Sequence, residues 1–94
     1  MVELNHRVKP DSDVVITELE GKEAVLLNLA TKMYYTLNET GLRIWQLLSS
    51  GGTLEEINER LQNEFDVTPE KAKGSVLNLI GELINEKLVK VVDE

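Results

Sequence analysis

The sequence predicts an α+β, winged-helix-like domain in which an N-terminal three-stranded antiparallel sheet is followed by three helices. Three observations carry that prediction. Residues 14–37 hold β-branched and alternating runs separated by turn residues. Helix-capping signals then recur at Asn38, Thr53 and Thr68. Each of those caps opens a segment whose apolar residues return at helical spacing.

Met1 to Asp13 is polar, with Pro10 followed by Asp-Ser-Asp, and reads as a mostly irregular arm with room for a short strand over Arg7 to Lys9. Residues 14–94 then form a single domain. Val14 to Leu19 is a β-branched strand, and Glu20-Gly21-Lys22 supplies a turn with a glycine available for positive φ. Ala24 to Leu29 is apolar on both faces, which makes it the central strand. Ala30-Thr31 turns the chain, and Lys32 to Leu37 alternates, with Met33, Tyr35 and Leu37 inward and Tyr34 and Thr36 outward. This last strand is an open edge unless something covers it.

Asn38 caps the first helix, with Glu39 placed favourably in the first turn, and Leu37 and Leu42 form a hydrophobic staple across the cap. Leu42, Ile44, Trp45, Leu47 and Leu48 bury that helix, and Ser49-Ser50-Gly51-Gly52 ends it. Thr53-Leu54-Glu55-Glu56 is a capping box that opens a second helix with Leu54, Ile57, Leu61 and Phe65 on one face. Thr68-Pro69-Glu70 starts a third helix, proline standing where its missing N–H costs nothing, and the helix runs to about Lys87. Val89 to Val92 has the composition of a terminal strand.

Composition removes whole classes of function. With no cysteine among 94 residues, disulfides, thiolate metal sites and cysteine nucleophiles are absent. His6 is the only histidine and lies in the polar arm, so neither a catalytic triad nor a histidine metal cluster can be assembled. Gly51-Gly52 has no phosphate-loop lysine after it, and Glu55, Glu56 and Glu59 are accounted for by the capping box and a solvated helix face. The chain is therefore expected to be no enzyme and to carry no cofactor. No apolar run approaches the roughly 18 residues of a membrane span, and the N-terminus is no signal peptide, so no membrane and a cytoplasmic location are expected.

A winged-helix arrangement raises the alternative of a DNA-binding regulator, whose third helix would read the duplex. Between Thr68 and Lys87 that helix sets Lys71, Lys73 and Lys87 against Glu70, Glu82 and Glu86, and the whole chain carries a formal charge of −7. Phosphate binding rests on an excess of Lys and Arg, so nucleic acid is not an expected partner. A third possibility is an oligomerisation module that pairs its own edge strands.

On a helical wheel Ala72, Val76, Leu79, Ile80 and Leu83 of the third helix fall within roughly 60° of Val76, enough to dock it on the core. Leu77 and Ile84 extend the apolar arc to roughly 80–100°, and Gly74 and Gly81 follow on the same side. Glycine inside a helix costs up to about 1 kcal/mol relative to alanine, so a compensating close approach is worth seeking. Two readings stand. Leu77 and Ile84 pack under the arm or the sheet, or this flank faces the Lys32–Leu37 edge as the wall of a groove for an added peptide strand. Tyr34, outward, could stack on such a ligand.

The block from Val25 to Val89 resembles the PqqD family, the small protein of pyrroloquinoline quinone (PQQ) biosynthesis and its relatives. An apolar strand and turn precede "YYTLNETG", a tryptophan follows that glycine by four residues, and "GG-TLEEI", "EFDVTPE" and "ELINEKLV" come after in order. The resemblance implies a RiPP recognition element, which binds the leader of a ribosomally made precursor peptide and presents it to a modifying enzyme. It implies that the leader adds as a strand beside Lys32, Met33, Tyr34, Tyr35, Thr36 and Leu37. The opposing wall would be Lys73, Leu77, Ile80, Gly81 and Ile84. The "NLATKMYYTLNETG" version is similar to standalone relatives, including lasso-peptide leader binders, so the partner enzyme would be a radical S-adenosylmethionine enzyme or a leader peptidase.

Overall fold

Turn chemistry and alternating side chains organise the first forty residues, in a computed structural model that describes residues 6–20 and 22–92. The elements are β1 (Arg7–Pro10), β2 (Val14–Leu19), β3 (Glu23–Asn28), β4 (Tyr34–Leu37), α1 (Glu39–Ser49), α2 (Leu54–Glu64), α3 (Pro69–Asn85) and β5 (Val89–Val92). The first five residues of the arm and the glycine expected at positive φ, Gly21, lie outside the described residues.

Strands β2, β3 and β4 form an antiparallel meander with β3 in the centre, as its two apolar faces require. Ala24, Leu26 and Asn28 of β3 are buried against the helices, while Val25 and Leu27 on the other face are only half-buried. Strand β1 pairs instead with β5 in a second, two-stranded sheet, and Val8 of β1 is buried in the core. The described part of the arm is thus built into the domain.

The inward face expected at Met33, Tyr35 and Leu37 holds for the last two and fails for Met33, which is 56% exposed. The cause is the β3–β4 turn. Lys32 takes φ of 67°, so strand geometry begins only at Tyr34, and Lys32 and Met33 stand outside the alternation. Asn28 holds this turn in shape. Its side-chain oxygen accepts from the N–H groups of Ala30 (2.9 Å) and Thr31 (3.1 Å), and its amide donates to the carbonyl of Lys87 (2.8 Å). Leu29, expected as the end of the second strand, falls in the turn and is exposed.

The helix signals are met where they were read. Asn38 accepts from the Gly41 N–H at 2.8 Å, and the staple residues Leu37 and Leu42 are both buried. A Cβ on Gly41 would stand 3.3 Å from both Asn38 Oδ1 and Leu37 Cδ2, so the missing side chain lets cap and staple close together. The capping box is complete, with Glu56 N–H donating to Thr53 Oγ1 (3.2 Å) and Thr53 N–H to the Glu56 carboxylate (3.0 Å). Arg43 of α1 clamps Glu64 of α2 through two bonds of 2.5 and 2.8 Å. Helix α3 ends at Asn85, short of the expected Lys87. There Lys87 adopts φ of 60° and Leu88 N–H reaches back to the Leu83 carbonyl, turning the chain into β5.

Candidate functional site

Strand β4 pairs on one side only among the described residues, and its pairing fixes which backbone groups are open. Asn28 N–H donates to the Met33 carbonyl at 2.9 Å, and these residues stand opposite each other when the β3–β4 register is extended by one step. Antiparallel ladders alternate bonded and non-bonded pairs, so the next bonded pairs are Leu26–Tyr35 and Ala24–Leu37. Tyr34 and Thr36 therefore turn their N–H and C=O groups outward. Four backbone groups lie ready along this edge.

Beside that edge two adjoining cavities run between the sheet, the start of α1 and α3. One, of about 240 Å³, is lined by Tyr35, Thr36, Leu37 and Leu79 among others. The next, of about 300 Å³, has Ser75, Asn78, Leu79 and Glu82 of α3 as one wall and Thr40, Gly41 and Ile44 of α1 as the other. They share Asn38, Gly41 and Leu79, forming one shallow trough. Its carboxylates are Glu23 and Glu82, and no Lys, Arg or His lines either cavity. Such a trough favours a neutral or basic segment.

Tyr35 bridges the trough by donating its hydroxyl to the Glu82 carboxylate. That bond, helped by burial and by the charges of Glu82 and Glu86, raises the Tyr35 pKa from 10.0 to about 12. A raised folded value means that the protonated phenol stabilises the fold. The contribution is complete below about pH 10 and is lost as pH rises through about 12. Ultraviolet titration of the phenols should therefore show Tyr35 ionising only near pH 12, and Glu82→Gln should bring Tyr35 down towards the ordinary tyrosine range.

The residues singled out from sequence are not all brought together. Lys32 and Met33 sit in the turn leading into β4, Tyr34 and Thr36 are exposed along the strand, Tyr35 is half-buried and Leu37 is fully buried. On α3, 100° steps place Lys73, Leu77 and Ile84 roughly 140–180° round the helix from Glu82, and Gly81 roughly 100° from it. None of these lines either cavity of the trough, and Ile80 is fully buried in the core. Leu77 and Ile84 are half-buried against that core. Gly74 and Gly81 are exposed, with nothing within 4 Å of a Cβ placed on either, so no other element among the described residues explains them. The α3 residues brought to β4 by these cavities and by the Tyr35 hydrogen bond are Leu79 and Glu82, with Ser75 further along the same flank opposite α1.

Among the described residues no group of three or more His, Cys, Asp or Glu is placed to hold a metal ion. No helix there is long and apolar enough to cross a membrane.

Comparison with known proteins places this geometry in a family. Residues 23–89 match the model of coenzyme PQQ synthesis protein D (PqqD). Among solved structures, TbiB1 in complex with the TbiA(beta) leader peptide is 30% identical, with a TM-score of 0.82 over 92% of this chain and 99% of that one. Lasso peptide synthetase B1 complexed with the leader peptide is 20% identical, with a TM-score of 0.80 over 89% of this chain and 98% of that one, a likeness of fold. No curated protein sequence matches.

Proposed function

This chain belongs to the PqqD family, and on that premise we propose that it is a non-catalytic adaptor for a ribosomally made precursor peptide. It captures the leader segment as an added strand on β4 and presents the peptide to a modifying enzyme. The observation that carries this reading is the open edge of β4, where Tyr34 and Thr36 offer their backbone groups beside a trough floored by Leu79. Strand addition draws affinity from main-chain bonds and specificity from the pockets that take alternate side chains, and edge and trough provide both. The relative that is 30% identical is itself a leader-peptide complex, which supports the same use here.

The binding elements in this reading are β4 with the preceding Lys32 and Met33, and the Ser75–Leu79–Glu82 flank of α3. A radical S-adenosylmethionine enzyme or a leader peptidase suits the role of partner. Nothing in the comparisons supports the alternative of a DNA-binding regulator. Within α3 itself Lys71 and Lys73 are matched by Glu70 and Glu82, which leaves no excess for phosphate.

The test is a titration of isotope-labelled protein with the synthetic leader of the precursor encoded beside this gene. Amides of Tyr34 to Leu37 and of Ser75 to Glu82 should shift together and saturate at one peptide per protein. Shifts confined to α2, or none at all, would sink the reading.

A further inference from the structure

The large apolar side chains that stand exposed among the described residues are all in one region. Val15 (45%), Ile16 (36%), Leu19 (46%), Leu29 (46%), Met33 (56%) and Tyr34 (71%) lie between positions 15 and 34, and none is on a helix. Strand register sorts them further. Val15, Leu27 and Tyr34 form one row across the sheet on the face turned away from the helices, and Thr17, Val25 and Thr36 form the next. Leu19 continues the face towards the hairpin tip. Neither row contains a charged residue. Alternation puts Glu23 on the same face at one end and Asp13, whose carbonyl accepts from Leu29 N–H at 2.8 Å, at the other.

Apolar surface gathered in this way marks an interaction site more often than chance exposure. The leader peptide does not cover it, because a strand added to β4 lies in the plane of the sheet. A second copy would bring Asp13 and Glu23 against their counterparts, between chains of formal charge −7. A surface with an apolar centre and basic ends fits both the rows and the charges.

We propose that the outer face of the β2–β3–β4 sheet docks the enzyme that acts on the captured peptide, through a surface of that kind. This rests on the adaptor reading and adds a second, separate interface to it. A strand added to β4 would extend the same face, setting its own outward side chains beside Tyr34 and Thr36. The enzyme would then touch adaptor and peptide at once and bind the loaded adaptor more tightly than the empty one.

The experiment uses the peptide-modifying enzyme encoded beside this gene, purified, with wild-type protein and a Val15→Glu/Leu19→Glu double variant. Both positions are exposed on β2, away from β4, and circular dichroism checks that the variant is folded. Enzyme affinity should fall at least tenfold while leader affinity stays within twofold, and leader should tighten enzyme binding to the wild type. An Asp13→Lys variant should weaken the enzyme complex as well, by placing a cation against the basic end. Unchanged enzyme affinity in the double variant would overturn the proposal. So would a wild-type dimer in sedimentation that the double variant dissolves, since the occupant would then be a second copy. Enzyme docking that survives complete absence of leader binding would count against the adaptor reading and leave this interface standing.

Discussion

Thr36→Pro should abolish most leader binding while leaving the domain folded. The N–H of Thr36 points away from β3, so proline removes no bond from the sheet at that position. It does remove a donor that an incoming strand needs, and its ring occupies the edge. One lost backbone bond is worth about 1 kcal/mol net, and the peptide carbonyl left without a partner costs about 1–3 kcal/mol. Together these predict a loss of about 30- to 1,000-fold in affinity, read by calorimetric titration, against a small shift in the denaturation midpoint. Tyr35→Pro is the contrasting variant. Its N–H faces Leu26 of β3, so it should destabilise the sheet itself. Thr36→Val keeps the N–H and should bind almost as the wild type does. If proline and valine at position 36 bind alike, the leader does not add to this edge.

What sequence could and could not disclose follows from the range of the interactions involved. Asn38, Thr53 and Thr68 cap their helices through partners within three residues, so local pattern suffices to find them. The central position of β3 was equally plain, because a strand apolar on both faces has only one stable place in a small sheet. Period-two alternation carries Met33 inward, but Lys32 before it takes positive φ, and lysine gives no warning of that conformation.

The α3 flank is a different case. A wheel shows that Leu77 and Ile84 share one flank and that Ser75, Leu79 and Glu82 share another, but not which flank meets β4. The wider apolar arc drew attention to the first. The hydrogen bond between Tyr35 and Glu82, 47 residues apart, ties the second flank to β4, and no local signal reports it.

Asn28 poses the same problem, since its importance lies in a partner 59 residues away, and Asn28→Leu should be the most destabilising single change outside the apolar core. The residue is 3% exposed and holds three backbone groups, the N–H of Ala30, the N–H of Thr31 and the carbonyl of Lys87. Leucine is of similar size, so no large cavity forms and the effect isolates the hydrogen bonds. Ala30 and Thr31 are exposed and can turn to water, whereas the Lys87 carbonyl lies at a partly buried corner where α3 passes into β5. About 1–3 kcal/mol for that carbonyl, with about 1 kcal/mol for the loosened turn, gives about 2–4 kcal/mol. For a domain of this size that corresponds to a fall of about 10–25 °C in Tm, measurable by calorimetry. The change also reaches the binding edge. Lys32 keeps its φ of 67° because Asn28 shapes the turn, and that turn sets where β4 begins. Leader affinity should therefore fall in Asn28→Leu even at temperatures where the protein remains folded. A variant as stable as the wild type would show that the turn is held by its backbone bonds alone.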